Sequence, residues 1–311
     1  MPVPPRSESL TRLRSTVQTA TCSAEKEKMR HTNRSTMRAP GKSLRRSVAV
    51  VAGLISIFSS LIAAPAFAAT ASPNYYDAGV MCNFTMIFVR GSGEAVGVGS
   101  AHSGRTYQYG GTGTILGSGL ETAVLNDAEI PVYTEAINYP ASVYDPATLG
   151  YPGSENTGRT NLRAELDYLV STCPYVDILL AGYSQGAQVI GDVLDGSAPN
   201  PLPASIRSHI TAVALWGDPS YRAGQAWDAQ STTVAPANGI FVRNSGAFSG
   251  YLASVWPVTS PTPIIIPTVK SYCLTGDAFC QSHYPLGLTV HASYNTTAGW
   301  SWMRQFLIDE N

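Results

Sequence analysis

The chain has 311 residues, 44% apolar and 13% charged, with 28 glycines, 21 prolines and 5 cysteines, a mixture that excludes a disordered, collagen-like or coiled-coil protein. The net charge of −1 hides an asymmetry: 11 of the 20 basic residues but only 3 of the 21 acids lie in residues 1–68, which leaves residues 69–311 with 9 basic and 18 acidic side chains and Lys270 as their one lysine. So acidic a segment is poorly suited to phosphate backbones or anionic membranes, and nucleic acid is excluded as a partner.

Lys42, Arg45 and Arg46 precede an apolar run from Val48 to Ile62, which leads to Ala64-Pro65-Ala66-Phe67-Ala68. A basic region, a short apolar core and a small-x-small end predict a secretory signal peptide over about residues 37–68, cut after Ala68 and preceded by a polar, basic extension. Gly53, Ser56, Ser59 and Ser60 dilute the run, which argues against an uncleaved membrane anchor. Arg45-Arg46 admits a twin-arginine signal, but Ser-Val follows where that motif wants bulkier residues, so the general pathway is favoured. The protein is expected to be secreted and extracellular, with residues 69–311 as one domain.

Past the signal, residues 83–89 are apolar and β-rich and end at Arg90-Gly91-Ser92-Gly93, the mark of a buried strand entering a glycine turn. Residues 132–139, 176–181, 210–216 and 240–243 read as further strands. Leu162, Leu166, Leu169 and Val170 recur at helical spacing before Cys173-Pro174 stops the helix, and Trp300, Met303, Phe306 and Leu307 mark another near the end. Apolar strands alternating with helices imply an α/β fold of three layers around a central, mainly parallel sheet. Cys82, Cys173, Cys273 and Cys280 form an even set in an exported chain. The short spacing of Cys273 and Cys280 suggests one local loop, leaving Cys82 to pair with Cys173. No C-x2-C or H-x3-H spacing supports a zinc site, and no metal is expected.

Residues 176–190 carry the chemistry. Gly182-Tyr183-Ser184-Gln185-Gly186 stands directly after an apolar strand and before a helix, the context of a nucleophile elbow; the bland alternative is a strand-to-helix turn with a capping serine. A serine hydroxyl needs a base, and the base needs an acid to orient it, in the chain order Ser, acid, His. His31 falls in the leader, His102 precedes the serine and His209 stands at the wrong end of a strand, which leaves His283 and His291. His291 is preferred, because it lies where a loop above the sheet would end. Asp218, before Pro219, reads as a turn residue. Asp277 has the better claim to be the acid, since a Cys273–Cys280 loop would hold it rigidly.

Gly182-Tyr183-Ser184-Gln185-Gly186, Cys273-x3-Asp277-x2-Cys280 and His291-Ala292-Ser293-Tyr294 together resemble the cutinase family, which includes cutinases, acetylxylan esterases and actinobacterial cutinase-like esterases. The resemblance spans about residues 80–308 and takes in Arg90-Gly91-Ser92 and Gly217-Asp218-Pro219 as well. It implies a single-domain α/β-hydrolase-like fold with Ser184 as nucleophile, His291 as base and Asp277 as orienting acid. Gln185 and Ser92 would form the oxyanion hole, and the cysteine pairing would be the one suggested above. The implied function is a secreted serine esterase acting on cutin-like polyester, lipid or short-chain acyl esters through an acyl-enzyme. No cofactor or obligate protein partner is implied. Acetylxylan esterase activity is the alternative within the family, and a catalytically idle wall-binding protein the alternative outside it. Residues 101–120 and 244–268 depart from the compact family pattern. In the second stretch, Ile264-Ile265-Ile266 reads either as a buried strand or, with Trp256, as an apolar rim for an acyl chain.

Overall fold

The fold begins with the apolar run after Asn83, which forms β1 (Phe84–Val89), buried along its whole length. The computed structural model describes residues 82–95, 113–117, 132–143, 150–229, 237–255, 262–282 and 288–308. The predicted signal peptide and extension, His102, Trp256 and His283 lie outside these residues. After β1 come α1 (Gly113–Gly117), β2 (Tyr133–Ala136), α2 (Gly150–Thr172), β3 (Asp177–Tyr183), α3 (Gln185–Leu194), α4 (Ala204–Arg207) and β4 (Ile210–Trp216). The chain continues through β5 (Leu252–Val255), β6 (Ile264–Pro267), β7 (Val269–Tyr272), α5 (Leu288–His291) and α6 (Thr297–Ile308).

Five strands form one sheet in the order β2-β1-β3-β4-β7, every neighbouring pair parallel. Alternation along each strand sorts side chains onto two faces. Ile87 and Val89, Ile178 and Leu180, and Val213 and Leu215 join one core with Leu162, Leu166 and Leu169 of α2 and Val189, Ile190 and Val193 of α3. Met86, Phe88, Leu179, Ala181, Ala214 and Trp216 join the other with Leu116 of α1 and Trp300, Met303 and Leu307 of α6. This is the three-layer α/β arrangement expected of near-continuous apolar strands, which bury both faces.

Sheet order reverses beside β1: β2 pairs with one edge of it and β3 with the other. In open parallel sheets the crevice at the carboxyl ends of such strands is where ligands bind. Arg90 to Gly93 leave β1 there, and Ser184 leaves β3.

One sequence expectation is corrected, and one of two open alternatives is excluded, the buried strand at Ile264 to Ile266. Residues 240–243 form no strand, although their amides are hydrogen bonded: Ile240 N–H donates to Phe279 O, Phe241 N–H to Pro219 O and Arg243 N–H to Ser220 O. The segment is a strap lying across loops, with Arg243 buried, Ile240 partly buried and Phe241 and Val242 exposed, so it has the apolar pattern of a strand without its burial. Ile264 to Ile266 form β6, which pairs antiparallel with β5 in a separate two-stranded sheet, where Ile264 and Ile265 are exposed. The strand leading toward Asp277 is β7.

Both cysteine pairs are bonded, Cys82 to Cys173 and Cys273 to Cys280. The first closes a loop with a sequence separation of 91 and the second one of 7. Chain entropy assigns roughly 4–5 kcal/mol to the long loop and about 2–3 to the short one. Cys82→Ser/Cys173→Ser is therefore expected to lower the calorimetric Tm more than Cys273→Ser/Cys280→Ser, and the opposite ranking would show that the short loop supports packing well beyond itself.

Candidate active site

Ser184 is the residue at which β3 turns into α3, and its backbone sits at φ 53°, a positive value uncommon for a residue with a Cβ. The strained turn lifts its side chain above the carboxyl edge of the sheet. Gly186 allows the turn to press against β1, since a Cβ there would lie 1.9 Å from Val89 O. Gly91 does the same from the other side, where a Cβ would stand 2.6 Å from Tyr183 Cδ1 and 3.3 Å from Ser184 Cβ. The turn after β1 and the elbow after β3 are thus packed as one unit.

Three side chains from distant parts of the sequence meet at this point. Ser184 Oγ lies 2.8 Å from His291 Nε2, and His291 Nδ1 lies 2.8 Å from Asp277 Oδ2. Asp277 is fully buried in the loop that Cys273–Cys280 closes. Its Oδ1 accepts the N–H groups of Phe279 at 2.8 Å and Cys280 at 3.4 Å, and its Oδ2 also accepts the Tyr294 hydroxyl at 2.7 Å. Burial pushes the Asp277 carboxyl up, but the hydrogen bond and charge of His291, the Tyr294 hydroxyl and the Phe279 amide outweigh it and hold the pKa below the ordinary value. An ionised carboxylate only accepts, so Nδ1 carries the imidazole proton and the Nε2 lone pair faces Ser184. The ring itself is gripped: it stacks on Tyr183 with centroids 5.1 Å apart and lies 4.4 Å from the Phe279 ring, while His291 O accepts the Tyr183 hydroxyl at 2.8 Å.

Gln185 opens α3, so its amide is one of the first-turn donors with no partner inside the helix. Its side chain turns away from Ser184: Oε1 accepts the Ser154 hydroxyl at 3.1 Å and Nε2 donates to Ser142 O at 3.2 Å, which staples α2 and the segment after β2 to the elbow. Ser92 Oγ is buried with no hydrogen-bond partner. The turn carrying it is braced by the buried Arg90, which donates to the carbonyls of Glu94, Ile137 and Tyr139, and by Gly93 N–H donating to Ala141 O at 2.7 Å.

Asp218 is not in this cluster. Its Oδ2 accepts Arg243 Nη1 at 2.7 Å and its Oδ1 accepts Ser220 N–H at 2.8 Å, so it is more than a turn residue. Arg243 also donates from Nη2 and Nε to Asp192 Oδ1 at 2.7 and 3.1 Å. Burial disfavours the Arg243 charge, and the two carboxylates more than reverse this and raise its pKa. The trio ties α3 to the turn after β4 and to the 240–243 strap, which in turn holds Phe279 through Ile240. His209 is also apart, its Nδ1 2.8 Å from Val176 O at the amino end of β4. Sequence reasoning missed Arg243, Arg90 and the contact of Tyr294. An isolated arginine ending an apolar stretch in so lysine-poor a segment was the available signal for the first two. Among the described residues no group of three or more His, Cys, Asp or Glu side chains could hold a metal ion.

The chain matches the Cutinase family model over residues 81–310. It is 33% identical over 178 residues to carboxylesterase Culp1 of Mycobacterium tuberculosis (strain ATCC 25618 / H37Rv), spanning 57% of this chain and 67% of that protein. It is 30% identical over 185 residues to phospholipase Culp4 of the same organism, spanning 58% and 69%. Among solved structures, the catalytic core domain of acetyl xylan esterase from Trichoderma reesei shares its fold with a TM-score of 0.50 at 23% identity, covering 73% of this chain and 98% of that one.

Proposed function

We propose, from the premise that this chain belongs to the cutinase family and is a carboxylic ester hydrolase, that it is a secreted serine esterase in which Ser184, His291 and Asp277 act as nucleophile, base and orienting acid. The observation that carries the reading is the continuous hydrogen-bonded path from Ser184 Oγ through His291 to Asp277, two contacts of 2.8 Å. His291 Nε2 takes the Ser184 proton as Oγ attacks the ester carbonyl. The imidazolium, held by the carboxylate, then gives that proton to the departing alcohol. Water, activated by the same nitrogen, releases the acid from Ser184 and restores the enzyme.

The negative oxygen of the tetrahedral intermediate is placed against the Gln185 amide and Ser92. The amide sits at a helix N-terminus, where the backbone dipoles favour negative charge. The unpartnered Ser92 hydroxyl supports its assignment as the second donor, because a buried donor without an acceptor costs stability unless a ligand completes it. Export is supported by the leader-like sequence of residues 37–68 and by the two disulfides.

The substrates proposed are acyl esters with an apolar chain, lipid-like or polyester. Phe279, half-buried against His291, and the exposed Val143, next to the Ser142 that holds Gln185, offer apolar surface around the elbow. Each methylene such a surface buries contributes about 0.8 kcal/mol, or about fourfold in kcat/KM. Residues 69–311, assayed on a p-nitrophenyl acyl series, acetylated xylan and a polyester film, are expected to show kcat/KM rising from the acetyl to longer acyl esters. A clear maximum at acetyl together with rapid release of acetate from xylan would replace this substrate class with acetylated polysaccharide.

A further inference from the structure

Tyr294 stands three residues beyond His291, and the mechanism above, on which the present inference rests, gives it no step. Its ring is buried, 6.1 Å from Tyr183 and perpendicular to His291 at 6.3 Å. Its hydroxyl accepts Leu274 N–H at 3.0 Å and donates to Asp277 Oδ2 at 2.7 Å. The Leu274 amide takes one lone pair of the hydroxyl, and of the two acceptors in reach, Asp277 Oδ2 at 2.7 Å and the disulfide sulfur of Cys280 at 3.4 Å, the nearer, charged carboxylate draws the proton. Burial, and then the adjacent Asp277 charge, push the phenol well above its ordinary pKa, so it remains a neutral donor wherever the enzyme works.

The choice of oxygen matters. Oδ1 is filled by the amides of Phe279 and Cys280, while Tyr294 shares Oδ2 with His291 Nδ1. A second donor on that oxygen fixes the rotation of the carboxylate against the imidazole. It also draws off part of the negative charge that stabilises the imidazolium.

We propose that Tyr294 is a positioning residue for acyl transfer, its hydroxyl setting both the aim of Asp277 and the strength with which that carboxylate holds His291. Without the hydroxyl, charge gathers on Oδ2 and the imidazole becomes easier to protonate. Since the base must be neutral to accept the Ser184 proton, the acid limb of the kcat/KM profile then moves to higher pH. A residue that merely fills space would alter Tm and leave the limb where it was. Among the described residues, the titratable groups facing the cluster are Tyr183 from β3 and, acting on that phenol, Glu94 from the turn after β1; both are retained in the variants below.

The test uses Tyr294→Phe and a second protein carrying 3-fluorotyrosine at position 294, whose phenol keeps its place and is the stronger donor. Tyr294→Phe is expected to lower kcat about tenfold with KM within about twofold, and to move the acid limb up by roughly half a pH unit. The fluorotyrosine protein is expected to move it down. An unmoved acid limb in both proteins overturns the proposal, and should Tyr294→Phe fail to fold, the fluorotyrosine limb alone decides. A fluorophosphonate probe separates the two levels: stoichiometric labelling of Ser184 in the native protein leaves the triad reading standing whatever Tyr294 does, and absence of that label overturns the reading and the proposal together.

Discussion

Replacing Ser184 with alanine is expected to abolish ester hydrolysis, lowering kcat by about four orders of magnitude or more, while leaving a folded protein. The loss follows because no other group above the sheet lies within hydrogen-bond distance of His291 Nε2 in the described contacts. The fold should survive because Ala keeps the Cβ and the backbone conformation, and the hydroxyl's one described partner is His291 itself. The same site allows a sharper test. At φ 53° Ser184 occupies backbone space that glycine enters freely, and such strain costs on the order of 1–3 kcal/mol. Ser184→Gly is thus expected to be as inactive as the alanine variant yet to melt no lower than the native protein. Calorimetry with a p-nitrophenyl butyrate assay reads both, and a folded Ser184→Ala protein retaining more than about 1% of activity would sink the nucleophile assignment.

Asp277 and Asp218, both buried, should fail in opposite ways. Asp277→Asn turns the acceptor facing His291 Nδ1 into an amide that can present N–H, favouring the wrong imidazole tautomer, and is expected to cut kcat by about 10³–10⁴-fold with a small change in Tm. Asp218→Asn leaves the Arg243 guanidinium buried with one of its two charge partners gone, which costs roughly 3 kcal/mol and about 10 °C in a domain of this size. Its kcat per folded molecule, counted by active-site titration, should change by less than about tenfold. The reverse ranking would move the acid role to Asp218 and require His291 to find a different partner.

The parts legible in the sequence are those whose determinants are local. A strand, a tight glycine turn and a helix follow one another within residues 177–194, so the elbow and its setting in a parallel sheet could be read directly. Pairing of Cys273 with Cys280 was legible because the spacing is short. Residues 240–243 were misread because an apolar run does not say where its amides bond or whether its side chains are buried: this one bonds to the loops at Pro219 and Phe279 and leaves Phe241 and Val242 exposed. Asp218 and Arg243 lie 25 residues apart, and the Tyr294 contact with Asp277 joins two loops. Such pairs leave no periodicity behind, because their meeting is decided by how the loops above the sheet cross.

The same separation has a consequence in time. The proposed base and acid arrive with the chain's last stretch: His291 follows Ser184 by 107 residues, and α6 beyond it seats Trp300 against Trp216 with ring centroids 5.0 Å apart. At roughly 5–20 residues added per second, a chain growing from its amino end carries the serine for about 5–20 s before the histidine has been made. On the proposed mechanism, Ser184 is throughout that interval an alcohol with no base to take its proton. The order of residues along the chain thus delays assembly of the Ser184–His291–Asp277 cluster until its last stretch has been made.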